Sequence, residues 1–499
     1  MSEQDKVHDL LVVGGGINGT GIAADAAGRG LDVVLCEMND LASATSSSST
    51  KLIHGGLRYL EQYEFRLVRE ALAEREVLLR NAPHIIWPMR FQLPHRKHLR
   101  PRWMIRIGLF LYDSLSKRVS LPASRGLRFG ADSPLLPELR HGFEYSDAWV
   151  DDARLVVLNA MQARARGAEI LVRTRCVALT AEAGIWTAVL ESATGQTSVR
   201  ARAVVNAAGP WVERFAGSVL AENQSNPVRL VKGCHIVVPR MFPGDEAYML
   251  QNDDGRVVFV IPYEQDFTLI GTTEEDYKDD PALARISDWE VDYLINLVNS
   301  CFRQKINRDS VVHDFAGVRP LIGDEGTANA SKVSRDYTLV LNTTKAPLLT
   351  VYGGKITTYR KLAEAVMHKL RIIFPQMTGD WTATAKLPGG NFVSKAELAA
   401  ELRKRVPWLP EAILQRWLRQ YGSCTLEFLA GVSSLEDLGE DFGHGLHAIE
   451  VNYLQSREWA QTAEDILWRR TKLGLHFTQQ EEERLADWLS SRTTDTHIS

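Results

Sequence analysis

The stretch "DLLVVGGGINGTGIAADAAGRGLDVVLCE", residues 9–37, constrains the fold more than any other part of the chain. An apolar strand ending at Val13 runs into G-x-G-x-x-G at Gly14, Gly16 and Gly19. A helix of small residues follows, and a second apolar strand ends in the acid Glu37. This order is the β-α-β unit that holds a dinucleotide. Gly14 makes the tight turn, Gly16 lets backbone approach a pyrophosphate, and Gly19 lets the helix pack on the sheet. The helix amino terminus then faces the anionic phosphates. An acid at the end of the second strand accepts from a ribose 2′-hydroxyl and repels a 2′-phosphate, so FAD or NAD is expected over NADP.

Length and charge narrow the class. With 499 residues and 45% apolar content, two or three domains are expected. A net charge of −4 argues against a surface built for nucleic acid. No run of about 18 apolar residues occurs, so no spanning helix is expected. The polar first nine residues lead straight into a strand, so no signal peptide is expected either. Cys36, Cys176, Cys234, Cys301 and Cys424 are scattered, which fits a reducing compartment without disulfides or a metal cluster.

Downstream of Glu37, "SATSSSSTKLIHGGLRYL" opens with seven hydroxyl residues in eight positions. By composition it is a solvated linker; by its neighbours it is a loop on the nucleotide. Two distant segments, "ARAVVNAAGPWVERFAG" at 201–217 and "LLTVYGGKITTYRKLAEAV" at 348–366, are further strand-to-turn elements. Between about 225 and 310 the pattern becomes antiparallel β, as in "GRVVFVIPYEQDFTLIGTT". After "KLPGGNFVS" at 386–394 the chain shows helical spacing.

These segments, with "EYSDAWVDDARLV", "GCHIVVPR", "GTTEEDY", "GVRPL" and "SRDYTL", resemble in order the FAD-dependent, aerobic respiratory glycerol-3-phosphate dehydrogenase family. That family belongs to the wider glycine oxidase and D-amino-acid oxidase structural group. The resemblance implies an α/β fold with added α: a Rossmann-like FAD-binding domain interrupted by an antiparallel-sheet substrate domain, with a helical C-terminal domain. The boundaries expected are 1–80, 140–225 and 311–385 for the nucleotide domain, 81–139 and 226–310 for the substrate or membrane-facing domain, and 386–499 for the helical domain. It also implies non-covalent FAD on Gly14, Gly16, Ile17, Asn18, Gly19 and Glu37. In the serine-rich tract Thr45, Ser46, Lys51, Leu52, His54, Gly55 and Gly56 would join them. Further along the chain, so would Val177, Ala208, Gly209, Gly354, Lys355 and Thr357.

The implied reaction is oxidation of sn-glycerol 3-phosphate at C2 to dihydroxyacetone phosphate, with hydride passing to flavin N5 and electrons to membrane quinone, ubiquinone or menaquinone. A dianionic phosphate needs convergent cations, and Arg58, Arg319, Arg335 and Lys355 sit in the matching motifs. For each, a surface ion pair is the competing reading. Hydride removal is helped by a base on the hydroxyl proton, for which His235 and His54 are the candidates. A core histidine bonded to backbone is the alternative for both. Arg319 could instead polarise the C2 oxygen, Lys355 could stabilise charge at the flavin N1/O2 edge, and Tyr59 and Thr273 could form pocket walls.

No acid occurs from Val77 to Tyr112, while "MRFQLPHRKHLRPRWMIRIGLFLYDSLSKR" carries eight lysines and arginines. A helix opening after Pro101 places Arg102 and Arg106 near Asp113 and Lys117, with Trp103, Ile105, Ile107 and Phe110 around the rest. Such a helix either packs on the core or lies on a bilayer with Arg100, Arg102 and Arg106 toward anionic headgroups. The resemblance favours a peripheral enzyme on the cytoplasmic face of the inner membrane, as a homodimer that binds no nucleic acid. An oxygen-using FAD oxidase of glycerol 3-phosphate or of an amino acid is the alternative.

Overall fold

The strand β1 (Val7–Val13) is apolar on both faces, with Leu10, Leu11 and Val12 fully buried, which suits the centre of a parallel sheet. The computed structural model describes residues 6–57, 60, 63–96, 100–116, 119, 121–219, 228–252, 254–322 and 336–495. Val12 pairs in parallel with Leu35 of β2 (Val33–Cys36) and with Val205 of the strand Gly195–Asn206. Val205 in turn pairs with Leu349 of Leu348–Tyr352, so segments from three distant parts of the chain lie side by side. The helix α1 (Ile17–Gly28) packs below, its alanines buried. Tyr359 of the helix Tyr359–Leu370 lies so close that a Cβ on Gly21 would meet its ring at 2.6 Å.

A second sheet of ten strands covers this unit. It is mainly antiparallel, as the sequence pattern implies, and its longest ladder joins Val228–Pro239 to His313–Ile322. Leu52–Ile53 and His141–Val150 also pair here. The sequence boundaries had placed 52–53, 140–150 and 311–322 with the nucleotide unit, whereas their strands belong to the sheet above it. Local alternation marks a strand but carries no sign of a partner 95 or 80 residues away, and these strands find theirs only on folding.

The helix α2 (Phe65–Asn81) leads from the serine-rich tract toward this second sheet. Next comes α3 (Arg102–Ser114), opening after Pro101 as the sequence predicts. Its outer face is apolar: Trp103, Ile107 and Phe110 are 63%, 51% and 61% exposed. Its inner face buries Leu109 and Tyr112, and Ile105 packs half-buried on the core instead of pointing outward. Arg100 and Arg102 are exposed, but Arg106 donates to the carbonyl and hydroxyl of Ser124, and Asp113 accepts from the amide and hydroxyl of the same residue. The polar side of α3 therefore holds a neighbouring loop. Lys117 lies outside the described residues.

The C-terminal helices, among them Lys395–Arg405, Glu411–Gln420 and Ala448–Glu458, share one hydrophobic core with β1 and α1. Buried ion pairs reinforce the junction, including Arg154 with Glu458 and the pairing of Asp40 with Arg469 and Arg470. Among the described residues no helix is long and apolar enough to cross a membrane. All five cysteines are free and buried.

Candidate active site

One large cavity, of about 700 Å³, runs between the two sheets from the glycine turn to the underside of the second sheet. Gly14 stands at φ +114°, and a Cβ there would meet the Ala207 carbonyl oxygen at 2.5 Å. The turn is possible only without a side chain. Gly16 opens α1 at the cavity wall, whereas Gly19 faces back into the fold: its Cβ would meet Gly14 O at 1.9 Å, so it serves packing rather than lining. Glu37 lines the same end, with Oε2 accepting from Gly15 N at 2.6 Å and Oε1 from Asn39 N at 2.8 Å. Burial raises its pKa against those two bonds. Each oxygen keeps a lone pair for a ribose hydroxyl.

The serine-rich tract is a built loop and not a linker. Ser46 Oγ accepts from Ile17 N at 3.0 Å, capping the first turn of α1, and Thr45 Oγ1 donates to Val318 O of the second sheet. Ser49 donates to Asp152. Lys51, expected on the cofactor, is 2% exposed and absent from the wall. Its ammonium is consumed by Asp152 Oδ1 at 2.7 Å and Ser47 O at 2.9 Å. Its role is to hold the tract's shape, and the partner that decides this lies 101 residues downstream.

The cavity is also lined by Leu52, His54, Gly56, Arg319, Lys355 and Thr357. The turn carrying Lys355 is fixed by Asn18 Nδ2 donating to Gly353 O at 3.0 Å, and Gly354, at φ +104°, would clash with Asn18 if it bore a Cβ. Arg319 is about one-third exposed, with Glu274, another wall residue, 4.0 Å from its guanidinium. Ala208 and Gly209 also line the cavity, Ala208 beside the Gly14 turn. Cys176 is the wall residue beside the expected Val177, which falls where the strand Arg175–Glu182 shifts register.

Three further expected residues stand back from the wall. His235 is fully buried, stacked on Phe315 at 4.9 Å, and joined to the wall residue Thr50 by a 2.9 Å bond from Nε2 to Oγ1. Burial, with the charges of Arg319 and Lys51 adding to it, holds its pKa well below the usual imidazole value, so the ring is neutral. Thr273 is buried and donates to Glu290 at 2.8 Å, leaving its neighbour Thr272 on the wall. Gly55 turns its N–H away from the cavity. Arg58, Tyr59 and Arg335 lie outside the described residues. Sequence reading missed Asp147 and Glu274 on the wall, although each lies in a quoted motif. Among the described residues, no group of His, Cys, Asp and Glu is placed to hold a metal ion.

A cavity lined by a side-chain-free turn, a helix amino terminus, an acid and cations fits FAD. Fold and site together define an FAD-dependent oxidoreductase. The family model for FAD dependent oxidoreductases matches residues 9–360, and that for the C-terminal domain of alpha-glycerophosphate oxidase matches 381–490. Over 97% of the chain and 96% of the relative, the sequence is 56% identical to a glycerol-3-phosphate dehydrogenase of Pseudomonas aeruginosa. It is 54% identical to a D-erythritol 1-phosphate dehydrogenase of Brucella abortus over 98% of the chain and 99% of that protein. A crystal structure of glycerol-3-phosphate dehydrogenase from Bacillus halodurans complexed with FAD superposes with a TM-score of 0.74 at 27% identity, covering 98% of this chain and 95% of that one. The chain belongs to the FAD-dependent glycerol-3-phosphate dehydrogenase family.

Proposed function

We propose that the protein oxidises sn-glycerol 3-phosphate at C2 to dihydroxyacetone phosphate and delivers the electrons to a membrane quinone. The observation that carries the reading is that Arg319, Lys355 and His54 line the same cavity as the glycine turn. Arg319 pairs with the phosphate or with the C2 oxygen, the planar guanidinium suiting either. His54 accepts the hydroxyl proton as the C2 hydrogen leaves, the task that its position on the wall allows and the burial of His235 does not. His235 instead holds the wall residue Thr50 from behind, through the bond between its Nε2 and Thr50 Oγ1. FAD, when bound, supplies the two-electron acceptor for the C2 hydrogen.

Quinone as acceptor and peripheral membrane attachment rest on α3, whose exposed Trp103, Ile107 and Phe110 form the kind of face that enters the acyl boundary of a bilayer. An anaerobic titration with sn-glycerol 3-phosphate, following the oxidised-flavin band, tests the substrate. Bleaching by this compound but not by glycerol, glycine or lactate is expected, and an untouched band refutes the reading. Quinone reduction against oxygen consumption then separates dehydrogenase from oxidase. The 54% identity to a D-erythritol 1-phosphate dehydrogenase favours a second reading, a four-carbon polyol phosphate. That compound belongs in the same titration, where bleaching at lower concentration than glycerol 3-phosphate would select it.

A further inference from the structure

The inner face of α3 ends on the cavity loop. Tyr112 is 2% exposed, and its hydroxyl donates to Asp147 at 2.8 Å while accepting from Gly55 N at 2.8 Å. Asp147 is itself held by Arg75 of α2 at 2.5 Å and lines the cavity beside Tyr145. Gly55 lies between two wall residues, His54 and Gly56. A Cβ on Gly55 would meet Leu72 at 2.5 Å and Tyr112 Oη at 2.7 Å, so the loop presses its backbone directly onto this hydroxyl.

The orientation of a peptide on the cavity wall thus depends on one phenol. The other acceptor near Gly55 N is Asp147 Oδ1, at 3.4 Å, too far for a good bond without movement of the loop. A buried N–H left without its partner is costly, so removal of the hydroxyl drives residues 54–56 toward Asp147. Burial pushes the Tyr112 phenol well up, so it stays a donor to the carboxylate at any working pH.

We infer that Tyr112 is a positioning residue: through the hydrogen bond of its hydroxyl to Gly55 it sets where residues 54–56 stand against the flavin. The inference rests on the reading that the flavin ring occupies this end of the cavity. Neither end of the strut carries out chemistry; Tyr112 acts through the loop.

The test compares Tyr112→Phe with Leu109→Ala in the FAD-loaded protein. Leu109 is fully buried on the same helix, and truncating it loosens α3 without touching the loop's hydrogen bond. Tyr112→Phe is expected to keep its FAD, shift the visible flavin band and midpoint potential, and slow flavin reduction by substrate about tenfold at unchanged substrate affinity. Leu109→Ala is expected to lower Tm at least as much and to leave band and potential at the wild-type values. An unshifted band and potential in Tyr112→Phe overturns the inference, as does an equal shift in Leu109→Ala. Band and potential are read without substrate, so a wrong substrate assignment does not obscure the result.

Discussion

Arg470 places both terminal nitrogens on the carboxylate of Asp40, at 2.7 and 2.8 Å, across 430 residues of chain. Arg469 adds a third bond to the same carboxylate, at 2.6 Å. Asp40 lies three residues beyond Glu37, so the C-terminal helices grip the loop that closes one end of the cofactor cavity. A buried pair of this kind adds little over a packed apolar pair, but breaking it strands a charge. Because Arg469 still pairs Asp40, Arg470→Met is expected to cost about 1–3 kcal/mol, read as a lower urea midpoint, with weaker FAD retention. An unchanged midpoint would show that the clamp is dispensable.

Gly14→Ala combines a left-handed backbone with a clash against main chain. The variant should purify with little flavin, measured as the ratio of visible to protein absorbance. Stoichiometric FAD would mean that the turn has room the structure denies it.

Arg319→Ala should retain its flavin and raise the KM for glycerol 3-phosphate about 10- to 100-fold, the range for losing one charge-assisted contact. Parallel loss of FAD would remove its claim to the substrate.

His313 stacks on Trp468 with ring centroids 4.0 Å apart, and burial lowers its pKa to about 4. Between pH 6.5 and 4 the unfolded chain binds a proton here that the folded chain refuses. Stability from this residue is therefore complete above pH 6.5 and falls as pH drops toward 4. His313→Phe should flatten the decline of Tm across that window; a decline as steep as the wild type's would falsify the account.

Replacing Trp103, Ile107 and Phe110 by serine should abolish sedimentation with anionic vesicles, while Arg106→Gln should change it little, because Arg106 is occupied by Ser124. Binding that survives the triple variant would locate the membrane face elsewhere.

The glycine turn was legible because its requirements are local: φ at Gly14 and the packing of Gly19 are dictated within a dozen residues. The start of α3 at Pro101 was legible for the same reason. Lys51 was misplaced on the cofactor because a lysine in a phosphate-like loop looks the same whether it faces a ligand or Asp152. His235 raised the same difficulty. A histidine in a strand shows its chemistry but not its burial, and only the stacking of Phe315 and the bond to Thr50 reveal that it acts from behind the wall. The polar side of α3 likewise needed Ser124 in place before its arginines could be divided between loop and solvent.

The strand Leu348–Tyr352 stands beside Gly195–Asn206, which stands beside β1. During synthesis, then, the first strand can pair early with β2 on one edge, but its other edge must wait for a neighbour more than 180 residues behind it, and that neighbour for the next strand, more than 330 behind the first. At about 5–20 residues per second that is on the order of tens of seconds with apolar strands unpaired. The nascent chain is thus most exposed to aggregation before its middle third has emerged, and FAD can find a complete cradle only once the chain has been made through Thr357.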